Sequence, residues 1–185
     1  MPLTADILVS ADAPALSVLD RLVGKAVLFT LGASGVDGVI TIYDLNQPSA
    51  HLLGFGLVLV CEEALARWIR LQLGSDADKA AEKVRRLNAA GSGYARWKKL
   101  RNTDRHGDLA SALTFGEKIG VIEALGPEEL ARHYQIDASD LLTKLEHMRE
   151  LRNAIGHYDE GRLDDPAWVH MRMLETRDIA RNLAS

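Results

Sequence analysis

Hydrophobic positions follow strand-like runs at the start of the chain and a helical period thereafter. Ile7 to Val9 is a short apolar run, Val27 to Leu31 (VLFTL) a continuous apolar strand, and Val36 to Tyr43 a further strand, with glycines at 32 and 35 marking the turn between them. Between the first two runs Pro14 opens a helical pattern in which Leu16, Leu19, Leu22 and Val23 share one stripe. The predicted order is β-α-β-β. Asp44 to Pro48 then supplies cap-forming side chains and a proline suited to a first helical turn.

From about Ser49 the period is helical and stays so. His51 to Leu73 reads as one long helix ending at Gly74, and Ser75 as the cap of a second over Asp76 to Asn88. Ala89 to Gly107 is polar and glycine-containing, which reads as a loop or a broken helix. Leu109 to Leu125 is a further helix, stopped at Gly126-Pro127, and Pro127 to Tyr134 a short one. Ser139-Asp140 caps a strong helix whose buried stripe is Leu141, Leu142, Leu145, Met148, Leu151 and Ile155, and a last helix starts near Asp165-Pro166. The fold class is therefore α+β: a small β-α-β-β unit over residues 1–48 and a mainly helical bundle over 49–185.

Composition changes this picture in two places. The sequence holds one cysteine, Cys61, so neither an intramolecular disulfide nor a CxxC zinc site is available, and a reducing, cytoplasmic setting is expected. The most apolar stretch, Leu52 to Cys61, is about half a membrane span, and the opening residues lack a charged-then-apolar pattern, so neither a membrane nor a secreted protein is expected. The net charge of −4 argues against coating nucleic acid by charge alone. Its distribution is uneven, however, because Lys79, Lys83, Arg85, Arg86, Arg96, Lys98, Lys99, Arg101 and Arg105 face only Glu82 and Asp104 between residues 79 and 105. That segment is a candidate anion-facing surface.

The strongest chemical signal is Arg152-Asn153-Ala154-Ile155-Gly156-His157, at the end of the helix that Ser139-Asp140 starts. Four residues apart, Asn153 and His157 lie about 40° from one another on an ideal helix, and Arg149 joins their stripe; Arg152 stands about 140° from His157. Arg152 therefore meets His157 only if the helix end distorts at Gly156 or its long side chain wraps round. Imidazole exchanges protons near neutral pH and guanidinium grips phosphate in a forked geometry, which is the equipment for phosphodiester chemistry without a metal. The competing reading is a pair of cations offsetting the helix dipole and binding its free carbonyls. Arg101-Asn102-Thr103-Asp104-Arg105-His106 repeats the spacing, but no apolar stripe leads into it.

With Arg-Asn-x-x-x-His closing a late amphipathic helix, and Leu113 to Ile122 (LTFGEKIGVI) preceding it, the chain from about Ser49 onward resembles the HEPN superfamily. Its members include metal-independent endoribonucleases, often toxins or defence effectors. The resemblance implies a homodimer in which two copies of the motif form one composite cleft. His157 would be the general acid or base at a ribose 2′-hydroxyl, Arg152 would bind the scissile phosphate and Asn153 would orient them. RNA is then the expected partner, with an antitoxin or other regulatory protein beside it, and Arg149, Arg96, Lys98, Lys99 and Arg101 are the expected RNA-binding side chains.

A second resemblance lies at the N-terminus. The β-α-β-β order, with Gly38 to Leu45 (GVITIYDL) closing the last strand, is similar to one CBS motif, a module that usually pairs to bind adenine nucleotides. Thr41 and Asp44 stand where that motif places its nucleotide contacts, and a single copy would need a second protomer to complete a cleft. Otherwise Asp44 is a helix cap and Thr41 a strand residue. Glu62 and Glu63 are weaker candidates for approaching the His157 motif, and Tyr94 and Trp97 either stack on bases or pin their segment to the bundle. His51, His133, His147 and His170 show no mutual ligand spacing, so no metal is expected, and an adenine nucleotide at the CBS-like unit is the only cofactor-like ligand implied. The leading expectation is a metal-independent endoribonuclease; the alternative is a non-catalytic dimeric module for nucleotide sensing or protein interaction.

Overall fold

A computed structural model of the chain describes residues 4–74, 76–87, 91–103 and 108–183. The protein is mixed α+β, mostly helical, with one three-stranded sheet. It divides into two compact units, the first formed by Met1–Phe55 with Leu151–Leu174, the second by Gly56–Glu150 with Glu175–Ser185.

In the first unit a 3-10 turn, Ala5–Ile7, leads into β1 (Leu8–Ser10), followed by α1 (Ala15–Arg21), β2 (Val27–Gly32) and β3 (Gly35–Thr41). The expected β-α-β-β order is observed. β1 pairs parallel with β2, Leu8 opposite Phe29, and β2 pairs antiparallel with β3, Leu28 opposite Ile40, giving the order β1-β2-β3. A parallel pair cannot be joined by a tight turn, and α1 is the crossover that joins this one. Val9, Leu22 and Leu28 form the core between sheet and helix, with Val18 and Ile40 against it. Gly35, at φ 115°, lets the β2–β3 hairpin turn where a side chain would be strained.

A second 3-10 turn, Ile42–Asn46, separates β3 from α2 (Pro48–Leu73). The first turns of α2 complete this unit together with the end of α8 (Leu141–His157), the short α9 (Glu160–Leu163) and the start of α10 (Pro166–Leu183). Gly54 on α2 allows a close approach here: a Cβ in its place would stand 3.4 Å from Ile155 and 3.5 Å from Met173. His170 Nε2 lies 3.1 Å from the Leu19 carbonyl oxygen and ties α10 to α1.

The second unit holds the rest of α2, α8 and α10 around α3 (Ala77–Arg86), α4 (Gly93–Arg101), α5 (Leu109–Ala112), α6 (Phe115–Leu125) and α7 (Pro127–Tyr134). Leu65, Trp68, Ile69, Ile122, Leu130 and Leu145 are among its fully buried side chains. Three details depart from the periodicity. Asp76 is the N-cap of α3, accepting from the N–H groups of Asp78 and Lys79, while Ser75 and Asn88 lie outside the described residues. The segment read as loop or broken helix contains α4, held by the buried Trp97. The helix expected over 109–125 is two, because Thr114 and Glu117 form a capping box that restarts the chain as α6. Among the described residues no helix is long and apolar enough to cross a membrane.

Candidate functional site

The Arg-Asn-x-x-x-His motif occupies the last turns of α8. Leu141, Leu145, Met148, Leu151 and Ala154 are buried along one side of that helix, as the stripe requires, and Leu142 and Ile155 are half-buried at its margins. This fixes the orientation of the rest: Asn153, Gly156 and His157 are exposed and Arg152 is half-buried.

The helix stays regular through Gly156, so the distortion considered there is absent. It ends at His157 instead. Tyr158 takes the left-handed conformation at φ 50°, its N–H donates to the Ile155 carbonyl at 3.3 Å, and the Asp159 N–H donates to the Ala154 carbonyl at 2.9 Å. That double bond pattern closes a helix on its own backbone. Asp159 then stands at the N-cap position of α9, without a side-chain capping hydrogen bond.

Arg152 reaches the motif by the other route, its side chain. Its Nη1 donates to Asn153 Oδ1 at 3.3 Å, which draws the guanidinium toward the stripe that Asn153 shares with His157. A hydrogen bond thus joins amide and guanidinium, and the exposed His157 imidazole lies one turn further along the helix.

The other expected side chains separate into two groups. Thr41 and Asp44 belong to the first unit, where the Asp44 carboxylate accepts from the Thr41 N–H at 2.7 Å and from the Thr41 hydroxyl at 3.0 Å. The helix-cap role is thus filled, with the 3-10 turn as the element capped. Arg149, Arg96, Lys98, Lys99 and Arg101 belong to the second unit. Arg149 pairs with Glu146 at 2.6 Å, and Arg101 makes a forked pair with Asp78 while lying 5.3 Å from the Trp97 ring centre. Arg96 donates to the Ala112 carbonyl at 3.0 Å and pairs with Glu117. Lys98 and Lys99 are exposed. His106 of the duplicate motif lies outside the described residues.

The weaker candidates have structural partners. Glu62 pairs with the buried Lys118 at 2.6 Å and Glu63 with Arg70 at 3.1 Å. Tyr94 and Trp97, both on α4, pack at 5.8 Å between ring centres, and Trp97 is buried. Burial pushes the Cys61 thiol up to about 12, so it stays protonated and unreactive. Among the described residues no group of three or more His, Cys, Asp or Glu side chains is placed to hold a metal ion. Sequence spacing gives no signal for Arg67, His133 and Gln135, which line one cavity of the second unit from distant parts of the chain. No family model, no curated protein and no solved structure matches this chain.

Proposed function

We propose that the chain is a metal-independent endoribonuclease of the HEPN kind. The observation that supports it is the Arg152–Asn153 hydrogen bond at the exposed end of α8, one turn from His157. In this reading the motif of one protomer faces that of a second in a homodimer. One His157 imidazole takes the proton of a ribose 2′-hydroxyl as its oxygen attacks the adjacent phosphorus. The bond from phosphorus to the 5′-oxygen breaks, and the leaving oxygen takes a proton from the facing imidazole. Arg152 neutralises the charge on the non-bridging oxygens and Asn153 holds Arg152 in place.

RNA contacts fall first to Lys98 and Lys99. Arg96, Arg101 and Arg149 would exchange a carboxylate partner for a phosphate. An adenine nucleotide at Thr41 and Asp44 is the proposed regulatory ligand, and the setting is a cytoplasmic toxin or defence system with an antitoxin or other regulatory partner.

The deciding experiment incubates the purified chain with labelled RNA in chelator, beside His157→Ala and Arg152→Ala. Loss of cleavage in both variants, with unchanged circular dichroism, is the expected outcome. Cleavage persisting equally in both sinks the assignment. One observation favours the second reading, a non-catalytic dimeric module: His157 sits at the carbonyl end of a well-closed helix, where a cation offsets the dipole with no chemistry required. In that case the variants lose stability and there is no cleavage to lose.

A further inference from the structure

The second unit contains a cavity of about 580 Å³, lined by Arg67 and Leu71 of α2, His133, Tyr134 and Gln135 at the end of α7, and Asn182 and Leu183 at the end of α10. Its volume is that of a small-molecule site, for which roughly 300–1,000 Å³ is usual. Among the described residues, no carboxylate lines it.

The acids one turn back from the lining residues on α2, α7 and α10 are paired with other cations. One turn back from Arg67, Glu63 pairs with Arg70 at 3.1 Å; one turn back from His133, Glu129 pairs with Arg132 at 2.8 Å; one turn back from Asn182, Asp178 pairs with Arg177 at 2.7 Å. Among the described residues Arg67 and His133 have no carboxylate partner. A guanidinium without a counter-ion, in a concave site beside an imidazole, is an arrangement that an anion completes.

The donors also approach from two sides: Arg67 offers a fork from α2, and His133 and Gln135 offer N–H groups from the end of α7. A planar carboxylate uses two oxygens in one plane, whereas a phosphoryl group presents three oxygens that donors on several sides can reach. Leu71 and Leu183 add apolar wall beside them, enough for an organic body attached to the phosphate. The carbonyl ends of α7 and α10 oppose an anion, but α7 is only 8 residues long and its last carbonyls are taken: Ile136 N–H donates to Ala131 and Gln135 N–H to Arg132. Such an end effect is weaker than a full guanidinium charge.

We infer that this cavity binds a small phosphomonoester, its phosphoryl oxygens held by Arg67 and His133 and its organic part against Leu71 and Leu183. The ligand site is separate from Arg152 and His157, belongs to the second unit alone, and does not depend on RNA cleavage.

The test is calorimetry on the full chain with inorganic phosphate, a nucleoside monophosphate, acetate, and a short RNA carrying only internal phosphodiesters. The nucleoside monophosphate binds the wild type more tightly than inorganic phosphate does, and acetate does not compete. Arg67→Ala weakens it about tenfold or more and His133→Ala by a smaller factor, the scale expected for losing a charge-assisted hydrogen bond. Arg132→Ala, a charge-matched change on α7 outside the cavity, leaves binding unchanged. Arg67 and His133 are exposed, so the variants fold, and thermal melting without ligand verifies this. No binding of the monophosphate at millimolar concentration, equal binding by Arg67→Ala, equal binding of acetate, or binding of the RNA alone each overturns the inference.

Discussion

Thr41 and Asp44 satisfy one another: a single carboxylate oxygen, Asp44 Oδ2, accepts both the backbone N–H and the hydroxyl of Thr41. The pair assigned to a nucleotide is therefore already a structural unit, closing the turn that leads from β3 into α2. Asp44→Ala costs about 1 kcal/mol without any ligand, the usual worth of such a cap, and lowers the melting midpoint by roughly 2–4 °C. If the nucleotide proposal is right, adenine nucleotides raise the midpoint of the wild type and not of Asp44→Ala. A ligand-induced rise of equal size in both removes Asp44 from the binding site.

Lys118 is buried, and its ammonium group donates to Glu62 at 2.6 Å and to the Leu113 carbonyl at 3.0 Å. Taking away one partner of a buried pair costs about 3–5 kcal/mol when the other stays buried. Glu62 retains 23% of its side-chain exposure, so water recovers part of the loss. Lys118→Met is expected to destabilise by about 2–3 kcal/mol in urea unfolding. Lys118→Met with Glu62→Leu recovers most of it, since no unpaired charge remains. A double variant no more stable than the single one contradicts the pairing argument.

His51 gives the stability a pH dependence of known sign. The ring is buried, Nε2 has no hydrogen-bond partner among the described residues, and burial holds its pKa below the ordinary 6.5. The folded protein thus keeps a neutral ring where the unfolded chain binds a proton. This contribution is fully present above pH 6.5, falls as the pH drops below that value, and levels off beneath the folded pKa. Urea midpoints at pH 7.5 and pH 5 measure it. The wild type loses more stability between them than His51→Leu, which has no proton to take up there. Equal losses mean that His51 is not the group responsible.

How far the sequence reached can be judged from individual elements. α8 was legible because its burial stripe repeats at helical spacing, and α7 because Pro127 marks its first turn. The β-α-β-β order was legible because apolar runs and glycines alternate over a short span. α4 was not, since its residues carry little helical patterning and their anchorage is tertiary: Trp97 is buried and Arg96 reaches Ala112 and Glu117. The break before α6 was encoded in Thr114-Phe115-Gly116-Glu117, whose capping-box spacing a hydrophobic periodicity passes over. At the candidate site the motif could be read, with two routes open to Arg152, a distorted helix end or a wrapped side chain. Choosing between them took the regular helix through Gly156 and the side-chain hydrogen bond to Asn153.

The end of α8 carries a further consequence, because its closing residue is a tyrosine in a conformation that favours glycine. Tyr158 stands at φ 50° and is 67% exposed, so its ring contributes little packing to offset the strain. For a side-chain-bearing residue this conformation costs about 1–2 kcal/mol, and glycine adopts it freely. Glycine also loosens the unfolded chain, which returns part of the gain. Tyr158→Gly is therefore expected to stabilise the protein by about 0.5–1 kcal/mol, and Gln135→Gly, at φ 55° after α7, by a similar amount. Tyr158→Val moves the other way, since a β-branched residue fits this region worse. Chemical denaturation of the three variants checks the order. On the proposed activity, Tyr158→Gly keeps the backbone closure that follows His157, so RNA cleavage is retained where His157→Ala abolishes it. Loss of cleavage in Tyr158→Gly, with stability raised, would show that the tyrosine ring itself takes part.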